Sequence, residues 1–246
     1  MVMRLKVSFF SSFVAVAALA PCAGSFGQVQ GPTPTSQTSA NGTYIASDPL
    51  ANVRYNNRYD VSLGMAYGHI KAGPTLLQGA NLGGLDLEGS YWLTRHWGLE
   101  GAGRGYVGTS GAGINHDGLD GGAIKGPFVS QYIFAAGPEW LGPHNKHGAL
   151  IAHVLVGGTY GDFQKDLLGN NPSTVDFYNN QVAPAAIFGG HFDLNRSPNW
   201  VFRVTPDALF TRYNANYSTP TSAAGGRNNW NFGLSVGVEY KFKKKR

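Results

Sequence analysis

Residues 229–242 read NWNFGLSVGVEYKF. Trp230, Phe232, Leu234, Val236, Val238, Tyr240 and Phe242 take every second position, and the residues between them are small or polar. Strict alternation marks a strand with one apolar and one polar face. A strand in a soluble domain runs about 5–6 residues, and this stretch is more than twice as long. At about 3.3 Å per residue and a tilt of about 40°, it covers roughly 30 Å of height. That is enough to cross the apolar band of a membrane barrel, roughly 25 Å tall.

The same pattern recurs upstream. Tyr59, Val61, Leu63, Met65 and Tyr67 alternate with Asp60, Ser62, Gly64, Ala66 and Gly68. Leu85, Leu87, Tyr91 and Leu93 alternate with Asp86, Glu88, Ser90 and Trp92, and a third run starts at Trp97 and Leu99. The runs 128–137, 148–158, 181–193 and 200–213 alternate less cleanly, and with 229–242 they bring the count to eight strands. Nothing sustains a helical period, and no apolar run reaches the roughly 18 residues of a membrane helix. With 35 Gly and only 13% charged residues, the composition also suits strands and loops better than helices.

Connector lengths give the topology. TRH (94–96) and NRSPN (195–199) are short, PEWLGPHNK (138–146) is intermediate, and the other connectors are long. Long and short alternate, so an up-and-down meander puts the long loops on one rim and the turns on the other. Such asymmetry with an even strand number belongs to outer-membrane barrels. Trp92, Trp97, Trp140 and Trp200 lie beside the short connectors and Trp230 at the far rim, as an interfacial aromatic belt requires. The predicted fold is an all-β, eight-stranded antiparallel transmembrane barrel over residues 58–242.

The flanks read differently. Arg4 and Lys6 precede the apolar run VSFFSSFVAVAALA and then PCAGSFG, the order of a secretory signal. Cleavage after Gly27 fits best and after Ala23 is a second choice; either predicts that the sole cysteine, Cys22, leaves with residues 1–27 or 1–23. Residues 28–57 contain GPTPTSQTSANGT and read as a flexible periplasmic segment. The formal charge of +5 is scattered apart from the tail Lys243–Arg246, which reads as solvated rather than as a nucleic-acid patch.

The chain resembles the small eight-stranded outer-membrane barrels, OmpA-like and OmpX-like. The resemblance rests on YWLTRHWGLEGAGRGYVG (91–108), GGHFDLNRSPNWVFRVTPDALFTRY (189–213) and the closing NFGLSVGVEYKF. It implies Tyr240 and Phe242 as the aromatic positions of the assembly-machinery signal, although KKKR follows them here. No peptidoglycan-binding companion domain is expected. The implied surroundings are outer-membrane lipid and lipopolysaccharide, with a monomeric, cofactor-free protein.

Asp86, Glu88, Glu100, Arg104, Arg203, Asp207, Glu239 and Lys241 fall on the inward parity. The turn at Thr94–His96 pairs the second and third strands, which sets Arg104 near Asp86 or Glu88. An eight-stranded barrel is just filled by side chains, so these charges must pair. The expectation is a structural lumen network and a non-catalytic envelope or surface role. The alternatives are a narrow solute pore, a lipid A-modifying enzyme using a histidine such as His69, His153 or His191, and a soluble lipocalin-like barrel. Other motifs are weaker. GRGYVG (103–108) lacks a following helix, HNKH (144–147) near Glu139 reads as a solvated turn, and NHDGLDGG (115–122) lacks calcium-loop spacing.

Overall fold

The computed structural model describes residues 48–74, 79–110, 113–114, 124–215 and 225–242. Residues 1–47, the tail 243–246 and the motif at 115–122 lie outside the described residues. Ten strands follow in chain order: β1 (Tyr59–Ile70), β2 (Ala80–Trp92), β3 (Trp97–Ser110), β4 (Gly113–Ile114), β5 (Ile124–Lys125), β6 (Phe128–His144), β7 (Gly148–Asp162), β8 (Gln181–Asn195), β9 (Trp200–Ala215) and β10 (Gly225–Phe242). Eight of them close into a barrel in the order β1-β10-β9-β8-β7-β6-β3-β2, and β4 and β5 form a small hairpin of their own. All barrel neighbours are antiparallel, and β1 closes on β10 from Tyr59↔Phe242 to His69↔Phe232.

The alternating pattern maps onto the two faces of this sheet. Leu63, Met65, Leu85, Phe134, Val156 and Val236 are exposed on the outside, with Phe134 at 69%. Carboxylates and guanidinium groups are buried inside. A soluble binding barrel would have the reverse arrangement. Trp97, Trp140 and Trp200 face outward near the turn rim and Trp230 near the loop rim. Trp200 packs on Tyr240 with ring centroids 5.0 Å apart, and Phe210 packs on Trp230 at 5.2 Å.

Three details differ from the sequence expectation. Trp92 does not join the belt: it lies on the inward parity and its Nε1–H donates to Asp60 Oδ2 at 2.6 Å. The intermediate connector is mostly strand, because β6 runs on to His144. Proline breaks alternation and removes ladder donors, and the β6–β7 register shifts between Leu141 and His144 near Pro143. The true turn is Asn145–His147, held by Asn145 Oδ1 accepting from the backbone N–H of His147 (2.8 Å) and Gly148 (3.1 Å).

Third, the charged residues of the lumen lie in its turn-side half, and Gln131, Thr159 and Tyr213 form an uncharged hydrogen-bonded group on the loop side. Toward the loops the lumen also holds an apolar cluster including Leu82, Ile133, Leu155, Ile187 and Leu209. Phe163, Leu167, Val175 and Tyr178, from the β7–β8 connector and its short 3-10 turn (Pro172–Val175), belong to the same cluster. Strands apolar on both faces at this level explain why the runs near 128–137, 148–158 and 181–193 alternate poorly.

The compact unit that contains the barrel includes residues from Pro49 onward. Tyr55 lies over the turn-side mouth, where its hydroxyl donates to Asn145 O (3.2 Å) and accepts from Asn195 Nδ2 (2.7 Å). Burial pushes this hydroxyl up to about 12, so it stays neutral throughout the physiological range.

The outward band sets a depth-dependent penalty. In refolding into lipid vesicles, Val236→Arg should cost about 2–4 kcal/mol, and Trp230→Arg or Phe242→Arg about 0–1 kcal/mol. Val236→Ile should be nearly silent, because acyl chains adapt to one more methylene. Equal penalties for arginine at Val236 and Trp230 would contradict a lipid-facing band.

Candidate functional site: the charged lumen

The turn Thr94–His96 sets the first element of the site. Thr94 Oγ1 accepts from the backbone N–H of His96 (3.3 Å) and Trp97 (3.0 Å), and the hairpin that follows pairs Asp86 directly with Arg104. Arg104 Nε donates to Asp86 Oδ1 at 3.2 Å and Nη2 to Glu88 Oε1 at 2.9 Å. Its remaining nitrogen, Nη1, crosses the lumen to Asp207 Oδ2 on β9.

Arg203 is the second hub. It pairs in register with Asp193, donating from Nε to Oδ1 (2.8 Å) and from Nη2 to Oδ2 (3.1 Å). Nη2 also lies 3.0 Å from Glu239 Oε2, and Nη1 lies 3.4 Å from Glu88 Oε2. Glu88 is therefore shared, one oxygen to each guanidinium, and Ser62 Oγ donates to it at 3.0 Å. Planar guanidinium forks suit such multidentate pairing.

A third group contains no permanent cation. Glu100 Oε2, His153 Nδ1 and His191 Nε2 lie 2.9, 3.1 and 3.2 Å from one another. The outer nitrogens of the two rings have partners of their own. His153 Nε2 meets Asp207 Oδ1 at 2.9 Å, and His191 Nδ1 meets Thr205 Oγ1 at 2.9 Å. Asp207 reaches His153 only because residue 189 is glycine: a Cβ there would collide with Asp207 Oδ1 and with the carbonyl oxygen of Pro206.

All eight charged residues read onto the inward parity are buried in the lumen. The structure brings Arg104 together with Asp86, Glu88 and Asp207, and Arg203 together with Glu88 and Glu239. Glu100 turns to the histidines instead. Lys241 stands toward the mouth, donating to Asn195 Oδ1 at 3.3 Å with Nζ 4.3 Å from the centre of the Tyr55 ring. Sequence reasoning missed Asp60, Glu139, Asp193, His153 and His191 as members of the network. Glu139 is buried and accepts from Ser90 Oγ at 3.1 Å. Its place in what reads as a connector hides it; for His191 and Asp193 the i, i+2 spacing is the one local signal, and the weak alternation of their strand obscures it.

Among the described residues, Glu100, His153 and His191 are the His/Asp/Glu donors that converge closely enough to hold a metal ion. The HNKH turn does not converge with Glu139: His144 Nδ1 lies 2.9 Å from the carbonyl oxygen of Gly142. GRGYVG lies within β3. His69 sits at the loop rim against Asn81 Oδ1 at 2.8 Å.

A closed eight-stranded sheet with an apolar exterior, aromatic rims and an ionic lumen defines the class. The chain is a small β-barrel of outer-membrane type. No protein-family model matches it, and no curated protein does. Among solved structures it is similar to Ail, the attachment invasion locus protein of Yersinia pestis, at 18% identity over 76% of this chain and 99% of that one, with a TM-score of 0.43. It is also similar to the outer membrane protein OprG of Pseudomonas aeruginosa, at 14% identity over 78% and 99%, with a TM-score of 0.49. A third is the Neisserial surface protein A, at 13% identity over 75% and 97%, with a TM-score of 0.41.

The network predicts strong coupling. Arg104→Met removes the guanidinium from Asp86 and one of the partners of Glu88 and of Asp207, and should lower refolding stability by about 3–5 kcal/mol. Adding Asp86→Asn and Asp207→Asn should restore part of the loss. Strictly additive losses across the cycle would show that the groups are not coupled.

Proposed function

We propose that the protein is a non-catalytic barrel of the bacterial outer membrane with an envelope-structural or surface-interaction role. It stands as a monomer in lipid and lipopolysaccharide, with its long connectors outward and its turns toward the periplasm. The observation that carries this reading is the filled lumen: interlocked ion pairs occupy the turn-side half, and an apolar cluster with the hydrogen-bonded Gln131, Thr159 and Tyr213 packs the loop-side half. A solute path needs an open channel, and the packed side chains of the loop-side cluster fill that space. A lipid-rim hydrolase needs a histidine beside a serine at the membrane surface. His153 and His191 instead turn inward to Glu100, Asp207 and Thr205.

The outward pair Tyr240 and Phe242, with ring centroids 5.0 Å apart at the end of β10, serves in this reading as the recognition signal for outer-membrane assembly. The loop rim is then the surface available to partners outside the cell.

Two measurements test the proposal. In planar bilayers the folded protein should give no stepwise conductance, and liposomes containing it should swell in small sugars no faster than protein-free liposomes. Reproducible conductance steps would replace this reading with the pore. In intact cells, a membrane-impermeant thiol reagent should label Asn170→Cys but reach Ser197→Cys only after the outer membrane is opened. The reverse pattern would invert the orientation.

A further inference from the structure

We infer that Glu100, His153 and His191 form a buried structural site for a divalent transition-metal ion, with zinc as its probe. The ion would tie β3 to the adjacent pair β7 and β8 in the middle of the lumen.

Geometry makes the first argument. Zinc held tetrahedrally at about 2.0–2.1 Å by nitrogen and oxygen places neighbouring ligand atoms about 3.3 Å apart. The three atoms Glu100 Oε2, His153 Nδ1 and His191 Nε2 form a triangle with edges of 2.9, 3.1 and 3.2 Å. That is one face of such a tetrahedron, slightly contracted. Glu100 Oε1, on the same carboxylate, is buried with no hydrogen-bond partner, as a carboxylate turned toward an ion would leave it.

The surrounding shell makes the second. With Nε2–H of His153 donating to Asp207 and Nδ1–H of His191 donating to Thr205, each ring presents its bare nitrogen to Glu100. Three lone pairs then converge within 3.2 Å, which is repulsive unless a cation stands among them. A carboxylate on the outer nitrogen is a usual orienting partner of metal-bound histidine, and the Thr205 hydroxyl takes the corresponding place on His191. Two imidazoles and a carboxylate suit zinc and its first-row neighbours, not calcium or magnesium.

Charge makes the third. Among the described residues, the lumen buries Asp60, Asp86, Glu88, Glu100, Glu139, Asp193, Asp207 and Glu239 against Arg104, Arg203 and Lys241 as permanent cations. An added divalent ion reduces that excess where no guanidinium reaches. A turn-side cavity of about 890 Å³ is lined by Asp60 and Glu239 on the same side of the lumen, and the three ligands lie deeper than its walls.

The competing occupant is a proton: a charged His153 would donate to Glu100 and Asp207 together. The test separates the two. Protein extracted from membranes in detergent, stripped with a chelator and dialysed against zinc should retain one zinc per chain by elemental analysis. A variant carrying His96→Ala, His144→Ala and His147→Ala, which removes turn-rim histidines, should retain the same zinc. His153→Ala and His191→Ala should lose it, and Thr205→Val should weaken binding by about 10–100-fold. Heat-modifiable gel mobility reports whether each variant is folded. Should the histidine variants fail to fold, zinc-edge X-ray absorption of the wild type decides. Two imidazoles in a four-coordinate nitrogen and oxygen shell support the site, and a six-oxygen shell overturns it. Absence of stoichiometric zinc, or zinc that disappears with the rim histidines alone, also overturns it and leaves His153 as a protonated bridge.

Discussion

Glu88 accepts from Arg104 through one oxygen and lies against Arg203 through the other, and the rest of the lumen depends on that shared carboxylate. Each buried ion loses several kcal/mol of hydration, and only well-placed partners offset the loss. Arg104 collects carboxylates from β2 and β9, and Arg203 collects them from β2, β8 and β10. Opposite walls of the barrel are therefore joined through side chains as well as around the sheet. The network tolerates little displacement: the glycine at 189 is required for Asp207 to reach both Arg104 and His153.

The exterior follows from a complementary constraint. Lipid offers no partner to backbone N–H or C=O groups, so a sheet in its midst must close. Closure here joins the first and last long strands, β1 and β10, in continuous register from Tyr59↔Phe242 to His69↔Phe232. Aromatic pairs such as Trp200 with Tyr240 and Phe210 with Trp230 stand toward the two ends of the band. Between those levels Met65, Phe134, Val156 and Val236 face outward. The same alternation that exposes them turns the charges inward.

Much of this was legible because a strand writes its two faces at period two. The run 229–242, the run 59–68 and the tight TRH turn carry the barrel, its parity and the placement of Arg104 near Asp86 or Glu88. Legibility failed where that period is blurred. Ile133, Leu155 and Ile187 are apolar on the inward face, so their strands carry no clean alternation, and His153 and His191 on those strands lost their parity label. Glu139 was hidden by Pro138 and Pro143, which look like loop residues but lie within β6. Trp92 was assigned to lipid by its position beside a turn, whereas parity and its bond to Asp60 place it inside. Pairing across the lumen, such as Arg104 with Asp207, depends on barrel closure and leaves no local signature.

The central claim is that the guanidinium groups of Arg104 and Arg203 are sealed inside a lipid-embedded barrel and held by carboxylates. Hydrogen exchange of the arginine Nε–H groups, followed by NMR on the protein in lipid nanodiscs, tests this directly. The account predicts strong protection for Arg104 and Arg203, with Arg58 and Arg212 on the outside exchanging rapidly. Equal and rapid exchange at all four would mean that water fills the lumen, and it would contradict the account.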